Sequence, residues 1–257
     1  AQVVVLTERD DAPAAARALE LGSYETAPES VDRCVLANAL RRACTVSRLR
    51  EQAQRLQAGN AGARGLSSWI AASDAALAAA RSVRSAAEGA TRTLLVLGER
   101  GVGKARLAGA FHAEGPGRDE PFFAVNCASI APTELELELF GHEAGAFAAP
   151  RAPRRGLFEL AGRGTVFLGE IAAAGDEVQA QLHKLLETGV VRRRGGATDL
   201  RIAARVVCSS HRDLQREAAA GRLRPQLFER LRQVCVELPP LRGRVEDILP
   251  LAEHFLA

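Results

Sequence analysis

Apolar residues fall along this chain in two rhythms. Short, mostly apolar runs occupy residues 2–7 (QVVVLT), 91–97 (TRTLLVL), 122–125 (FFAV), 165–168 (TVFL) and 202–208 (IAARVVC). Runs of this length, rich in Val, Leu and Phe, predict strands buried on both faces. Between them the apolar residues recur every three or four positions, over residues 14–21, 74–87 and 106–112 and on the face made by Val178, Leu182, Leu185 and Leu186. That spacing predicts helices. Strands alternating with helices predict an α/β fold whose parallel sheet carries helices on both faces. A further helical stripe, Leu36, Leu40, Ala43, Val46, Leu49, Ala53 and Leu56, predicts one long helix over residues 31–57. It fits either packing within its own domain or pairing with a partner chain as a short coiled coil. Residues 59–65 (GNAGARG) form the clearest break between domains.

The strand at 91–97 empties into GERGVGKA, residues Gly98, Glu99, Arg100, Gly101, Val102, Gly103, Lys104 and Ala105. The G-x-x-x-x-G-K spacing between a strand and a helix predicts a phosphate-binding loop. Glycines allow successive N–H groups to converge on phosphate oxygens, Lys104 adds a point charge, and the following helix directs its positive end at the anion. A bare glycine-rich turn is the alternative. The hydroxyl that usually ends the motif and reaches magnesium is missing at Ala105. Ligands of parallel sheets sit at the carboxyl ends of strands, where Lys104, Asn126 and Glu170 all fall.

Composition narrows the picture only modestly. Apolar residues make up 47% and charged residues 25%, the balance of an ordinary globular protein. A net charge of +3 neither requires nor excludes nucleic acid. The five cysteines form no C-x-x-C pair and are expected to be reduced thiols. No apolar run is long enough to span a membrane and no signal-peptide pattern opens the chain, so a cytoplasmic location and no membrane partner are expected. No methionine occurs, and the chain is expected to be a piece of a longer product.

Two resemblances add to this reading. Residues 1–50, with VVVLT, ALELGSYE and Pro28 before an amphipathic helix, resemble the second half of a response-regulator receiver domain, as in two-component systems, with Thr7 at the switch-threonine position. Ala27 stands where that family has a lysine, and the half with the phosphoacceptor aspartate is not in this sequence. From Gly98 onward GERGVGKA, FFAVNCASI, ELELFGHEAGAF, GLFELAGRGTVFLGEI, VQAQLHKLLE, CSSHRDL, LRPQLFERL and LPPLRGRVEDI follow in the order found in the AAA+ domain of NtrC-type activators of sigma-54 RNA polymerase, the bacterial enhancer-binding proteins. This resemblance implies that the loop from Gly98 to Ala105 and Lys104 bind ATP or ADP, that Glu170 activates water, and that Asn126 holds Glu170 in an alternate position. It also implies that Ser210 and His211 form the nucleotide-sensing segment. Arg224 and Arg230 would reach a neighbouring subunit's nucleotide, which implies a homo-oligomer, a dimer or a ring.

Three departures bear on function. Gly169 replaces the aspartate of the usual Asp-Glu pair, so no metal ligand is assigned and the place of Mg2+ is open. Ala105 removes the hydroxyl. The loop that contacts the sigma factor normally reads GAFTGA, and here Gly145, Ala146, Phe147, Ala148, Ala149 and Pro150 stand in its place, which weighs against that contact. Arg151, Arg154 and Arg155, like Arg192, Arg193 and Arg194, fit a solvated surface more simply than a nucleic-acid contact. Contact with DNA would need a C-terminal module outside this sequence.

The expected architecture is therefore α/β: an AAA+ P-loop parallel sheet with helices on both faces, preceded by a partial receiver-like segment and a linker helix. The expected divisions are 1–47, the receiver-like part; 48–65, the linker helix and break; 66–244, the nucleotide-binding core; and 245–257, the start of a lid. Two functions stay open: a nucleotide-binding regulator with weak or absent hydrolysis, and an active ATPase that remodels sigma-54 polymerase holoenzyme.

Overall fold

The computed structural model describes residues 4–7, 12–20, 25–28, 31–32, 35–40, 65–89, 91–143 and 153–256. The chain divides into two compact units, Ala1–Ala58 and Gly59–Ala257. In the first, strands β1 (Val4–Thr7) and β2 (Glu25–Pro28) pair in parallel, Val4 against Glu25 and Thr7 against Pro28, and the helix Ala12–Glu20 connects them. A parallel pair needs such a crossover. The expected helix from Val31 begins later. The Val31 N–H turns back to the Pro28 carbonyl at 2.9 Å, and the described helical residues are 35–40. The rest of that expected helix, and the break at 59–64, lie outside the described residues.

The second unit is built on five parallel strands in the order β11, β3, β10, β7, β4. These are β3 (Thr93–Leu97), β4 (Phe122–Asn126), β7 (Thr165–Gly169), β10 (Arg205–Ser210) and β11 (Cys235–Glu237). The strands are apolar on both faces because both are covered. Leu94 and Val96 pack with Phe167, Val207 and Phe111 under the helices Asp74–Glu88 and Lys104–Ala113. On the opposite face Leu95, Val166, Leu168, Val206 and Cys208 pack under Pro132–Phe140, Asp176–Thr188 and Pro225–Leu231. Alternation along each strand thus feeds two separate apolar layers.

Two small antiparallel pairs were not expected. One joins β5 (Gly141–His142) to β6 (Arg154–Arg155), the other β8 (Val190–Arg192) to β9 (Asp199–Arg201). The second also explains why the strand expected from Ile202 begins only at Arg205. Ile202 N–H still bonds Gly189 O at the foot of the hairpin, whereas Arg205 N–H bonds Gly164 O and enters the sheet. Arg205 is itself buried, its guanidinium 3.6 Å from the Phe111 ring centroid and donating to the carbonyls of Ala86, Ala87, Thr91 and Phe111. Burial pulls its pKa down to about 10, which leaves it charged at neutral pH.

The segment that follows β11 braces the front of this unit. Asp247 is fully buried and accepts from Ala72 N at 2.6 Å, Ser73 N at 2.7 Å and Ser73 Oγ at 2.9 Å. Ser73 in turn caps the helix Asp74–Glu88 by accepting from Ala76 N. Arg244 donates to Val102 O at 2.7 Å and lies 3.7 Å from Asp247. The start of one helix and the glycine-rich loop are thereby fixed to the same four residues. Burial pushes the Asp247 carboxyl up, but the donors from Ser73 and Ala72 and the Arg244 charge outweigh it and hold the pKa below its ordinary value.

Replacing Asp247 should therefore be costly and pH-dependent. Asp247→Ala strands three donors and a buried guanidinium and is expected to lose about 3 kcal/mol in urea unfolding at pH 7. A carboxylate with a depressed folded pKa contributes fully above the unfolded value of about 3.9 and loses that contribution as pH falls through the folded value. The stability gap between wild type and Asp247→Asn should accordingly be widest near neutrality and close in acid; a gap independent of pH would contradict the charge's role.

Candidate functional site

The site forms where β3, β7 and β10 deliver their carboxyl ends. β3 stops at Gly98, whose N–H bonds Ser210 O, and whose φ of +146° places a hypothetical Cβ 2.6 Å from Leu238 O. Gly101 and Gly103 take φ of +81° and +104°, left-handed conformations that side chains disfavour. Val102, between them, is buried in the core and anchors the loop, while Glu99 and Arg100 face outward. Glu99 is paired with Arg242 in an exposed bridge. The helix Lys104–Ala113 starts at once, with Gly103 as its N-cap and no side chain to satisfy the first amides. The helix end is thus open to an anion. Ala105 is exposed on that first turn. Trp69 packs against the loop, its ring 3.7 Å from where a Gly103 side chain would start.

Lys104 is 8% exposed. Its ammonium donates to Gly98 O and Glu99 O, both at 2.8 Å, and stands 4.0 Å from Glu170 Oε1. Burial lowers its pKa, the Glu170 charge acts in the opposite direction, and Arg100 adds to the lowering. Glu170 follows β7 with φ of +55°, and among the described residues it is the one non-glycine in the left-handed region. Its Oε2 accepts from His211 Nδ1 and, at 3.4 Å, from the His211 backbone N–H. His211 is carried on a turn at the end of β10, where Ser210 Oγ donates to Arg212 O and accepts from Arg212 N.

Asn126 lies opposite Gly169 in the β4–β7 register, one residue from Glu170. In this state its side-chain oxygen makes a local bond. Asn126 Oδ1 accepts from Ala128 N at 3.0 Å and caps the short turn Cys127–Ser129, a local bond that asparagine favours at a strand end. No hydrogen bond joins it to Glu170 among the described residues.

Lys104, Glu170 and His211 come together; Arg224 and Arg230 do not join them within the chain. Arg224 donates from both arms of its guanidinium to Asp176, at 2.8 and 2.5 Å, and Arg230 lies 3.7 Å from Glu187. Both therefore lean on the helix Asp176–Thr188. The Arg224 hydrogen bond is the main reason the Asp176 carboxyl sits below its ordinary pKa. An open groove of ≈ 560 Å³ lies here, lined by His183, Gln226, Glu229, Arg230, Arg232 and Gln233, none of them part of the loop or the Glu170 cluster.

The described arginines expected at a solvated surface lie half-buried or exposed there in ion pairs. Arg154 forks onto Glu138, Arg193 bridges Glu159 and Glu143, Arg194 reaches Glu136, and Arg192 meets Asp199. Arg151 and the loop at 145–150 lie outside the described residues. Cys127, Cys208 and Cys235 are free thiols, and burial pushes Cys127 up to about 12. Among the described residues no helix is long and apolar enough to cross a membrane, and no three His, Cys, Asp or Glu side chains gather as a metal site. Trp69 was missed by the sequence reading, and Arg244 and Asp247, although they stand in the LPPLRGRVEDI stretch, were given no role, because nothing local marks a contact made across so many residues.

Comparison with known proteins points to one family. The family described as sigma-54 interaction domain matches residues 70–237, well over half of the chain. The chain is 44% identical over 164 residues to a Nif-specific regulatory protein of Herbaspirillum seropedicae, covering 64% of the chain and 30% of that protein. It is 36% identical over 253 residues to the C4-dicarboxylate transport transcriptional regulatory protein DctD of Pseudomonas aeruginosa, covering 98% of the chain and 55% of the relative. The DNA-binding transcriptional regulator NtrC of Salmonella typhimurium is 34% identical over 254 residues, with 99% and 53% covered. Among solved structures, NtrX from Brucella abortus in complex with ADP superposes with a TM-score of 0.67 at 28% identity, covering 99% of this chain and 53% of NtrX. The chain thus spans from about a third to about half of the length of these relatives.

The two glycines at the site should respond oppositely to a side chain. A Cβ at Gly169 would meet its nearest neighbour, Val125 O, at 3.5 Å, which is ordinary contact. Gly169→Ala is expected to change stability by less than about 1 kcal/mol, whereas Gly98→Ala, strained in φ and blocked by Leu238, should cost about 2 kcal/mol or more. Thermal unfolding of the two variants checks this; equal losses would refute the loop geometry.

Proposed function

The chain belongs to the sigma-54 interaction domain family, and on that premise we propose that it is the ATP-binding part of a cytoplasmic NtrC-type transcription regulator in which binding is retained and hydrolysis is weak. The observation that carries this reading is the pairing of a complete phosphate cradle with an incomplete cation site. Three left-handed or extended glycine conformations open the loop amides, and the buried Lys104 ammonium is held only by loop carbonyls beside one carboxylate. Phosphate oxygens are the natural acceptors for those donors. A divalent cation finds less. Position 105 offers a methyl group and position 169 a hydrogen, so neither helix nor strand presents a side-chain oxygen, and Glu170 Oε2 is already taken by His211. The residues present do not fit a protein-held Mg2+, and the role derived for the chain is binding and positioning of the nucleotide.

Glu170, at the end of β7 and facing Lys104, is suited to accept a proton from an attacking water. Its presence supports the second reading, an active ATPase that remodels sigma-54 holoenzyme. Arg224 and Arg230 support a homo-oligomer in which each acts on a neighbour's nucleotide. Their present partners Asp176 and Glu187 are exposed, so those bonds are weak and exchangeable. Residues 1–47 fit a receiver-like part, 48–65 a linker, 66–244 the core and 245–257 the start of a lid. Contact with the sigma factor is disfavoured by Ala148, Ala149 and Pro150, and DNA contact is left to a separate module.

Three outcomes are expected. Titration with a labelled ATP analogue should show Lys104→Ala binding about 10- to 100-fold more weakly, the loss of one or two charge-assisted hydrogen bonds; equal affinity would remove the phosphate-loop assignment. Steady-state phosphate release by the full-length protein should rise about 10- to 100-fold in Gly169→Asp, because a Cβ there meets only ordinary contacts and the added carboxylate supplies the missing charge. If wild type already turns over briskly and Gly169→Asp adds nothing, the active-ATPase reading replaces this one. Sedimentation of the full-length protein with nucleotide should reveal species above dimer, which Arg224→Ala should diminish; a strict monomer at high concentration would contradict the assembly.

A further inference from the structure

Glu170 needs something to orient it, and in this state Asn126 makes no hydrogen bond to it among the described residues. Asn126 Oδ1 caps the turn at Ala128, whereas both N–H groups of His211 that can reach the carboxylate point at one oxygen, Oε2. The other oxygen, Oε1, is turned toward Lys104 at 4.0 Å, on the side of the phosphate loop. The backbone contributes too, since Glu170 is held at φ of +55° between the sheet and the turn Ile171–Ala173. Strain of this kind persists where the surroundings fix a residue for use.

We propose that His211 is the positioning residue for Glu170 in this chain: it anchors Oε2 and leaves Oε1 as the oxygen that faces the nucleotide's γ-phosphate side. The inference rests on the reading that the loop binds ATP. It also fixes the imidazole. An ionised carboxylate can only accept, so the proton of the neutral ring sits on Nδ1 and Nε2 is left as an acceptor. The turn Ser210–Arg212, closed on itself through Ser210 Oγ, keeps the ring on the carboxylate. His211 then acts through Glu170 and not on the phosphates. This departs from the nucleotide-sensing role that its place in the sequence implied.

The tautomer gives a direct test. Full-length protein with ¹⁵N-labelled histidine is examined by NMR at about pH 8.5, where an ordinary imidazole is neutral, and the His211 signals are assigned by their loss in His211→Ala. The Nδ1–H form should dominate about tenfold in wild type, and Glu170→Ala should return the ring to mainly Nε2–H. The functional arm compares ATP affinity with single-turnover phosphate release in the Gly169→Asp background. There His211→Ala should slow release about tenfold with affinity changed less than twofold, and His211→Asn, which still donates, should recover part of the rate. Identical tautomer ratios in wild type and Glu170→Ala overturn the proposal, as does unchanged release in His211→Ala. Absence of ATP binding by wild type would instead overturn the nucleotide reading, so the two failures are distinguishable.

Discussion

A lysine charge that is almost withdrawn from solvent must be surrounded by oxygen, and the front of this protein is arranged around that requirement. Lys104 begins a helix directly after a loop whose glycine conformations bring carbonyls to its ammonium. The loop is held from behind by Val102 in the core, from the side by Arg244 on the Val102 carbonyl, and from in front by Trp69 against Gly103. Arg244 and Asp247 extend the same constraint to the capped start of Asp74–Glu88. Carbonyl oxygens are weak partners for a buried cation. An anion of higher charge would replace them at a gain, which is why the loop reads as a receptor and not as a finished structural knot.

The sheet was legible in the sequence because its physics is local. A strand covered on both faces is apolar over most of its length, and β3 and β7 stand out as such runs, while β10 carries its apolar core at Val206–Cys208 between the buried polar residues Arg205, Ser209 and Ser210. The loop was legible because left-handed backbone demands glycine at fixed intervals. The β5–β6 and β8–β9 pairs were not legible. They are short and rich in arginine, and distant carboxylates meet them or the turn between them: Glu138 holds Arg154 of β6, and Glu136, Glu143 and Glu159 hold Arg193 and Arg194 just after β8, links that no local pattern announces.

The departures at the site have a common direction. Gly169 and Ala105 each remove an oxygen without disturbing the backbone, because the strand at Gly169 has ordinary geometry and Ala105 lies on an exposed helix turn. Neither change touches the loop amides or Lys104, the groups proposed to bind phosphate. Asn126 and His211 illustrate a subtler limit of sequence: both residues stand where the family resemblance places them, yet in this state the hydrogen bond to Glu170 comes from His211 while Asn126 Oδ1 caps its own turn. Residue identity sets the candidates, and local hydrogen-bond competition selects among them.

The central claim is that nucleotide affinity comes from the loop amides and Lys104 while the cation contributes little through the protein. Isothermal titration of wild type with ATP, in the presence of magnesium and again with the metal chelated, addresses it directly. Phosphates and water supply most Mg2+ ligands in any case, and this chain adds no side-chain oxygen at 105 or 169, so the two dissociation constants should agree within about threefold. A dependence of about 100-fold or more on magnesium would mean that the protein holds the cation after all, and would contradict the account.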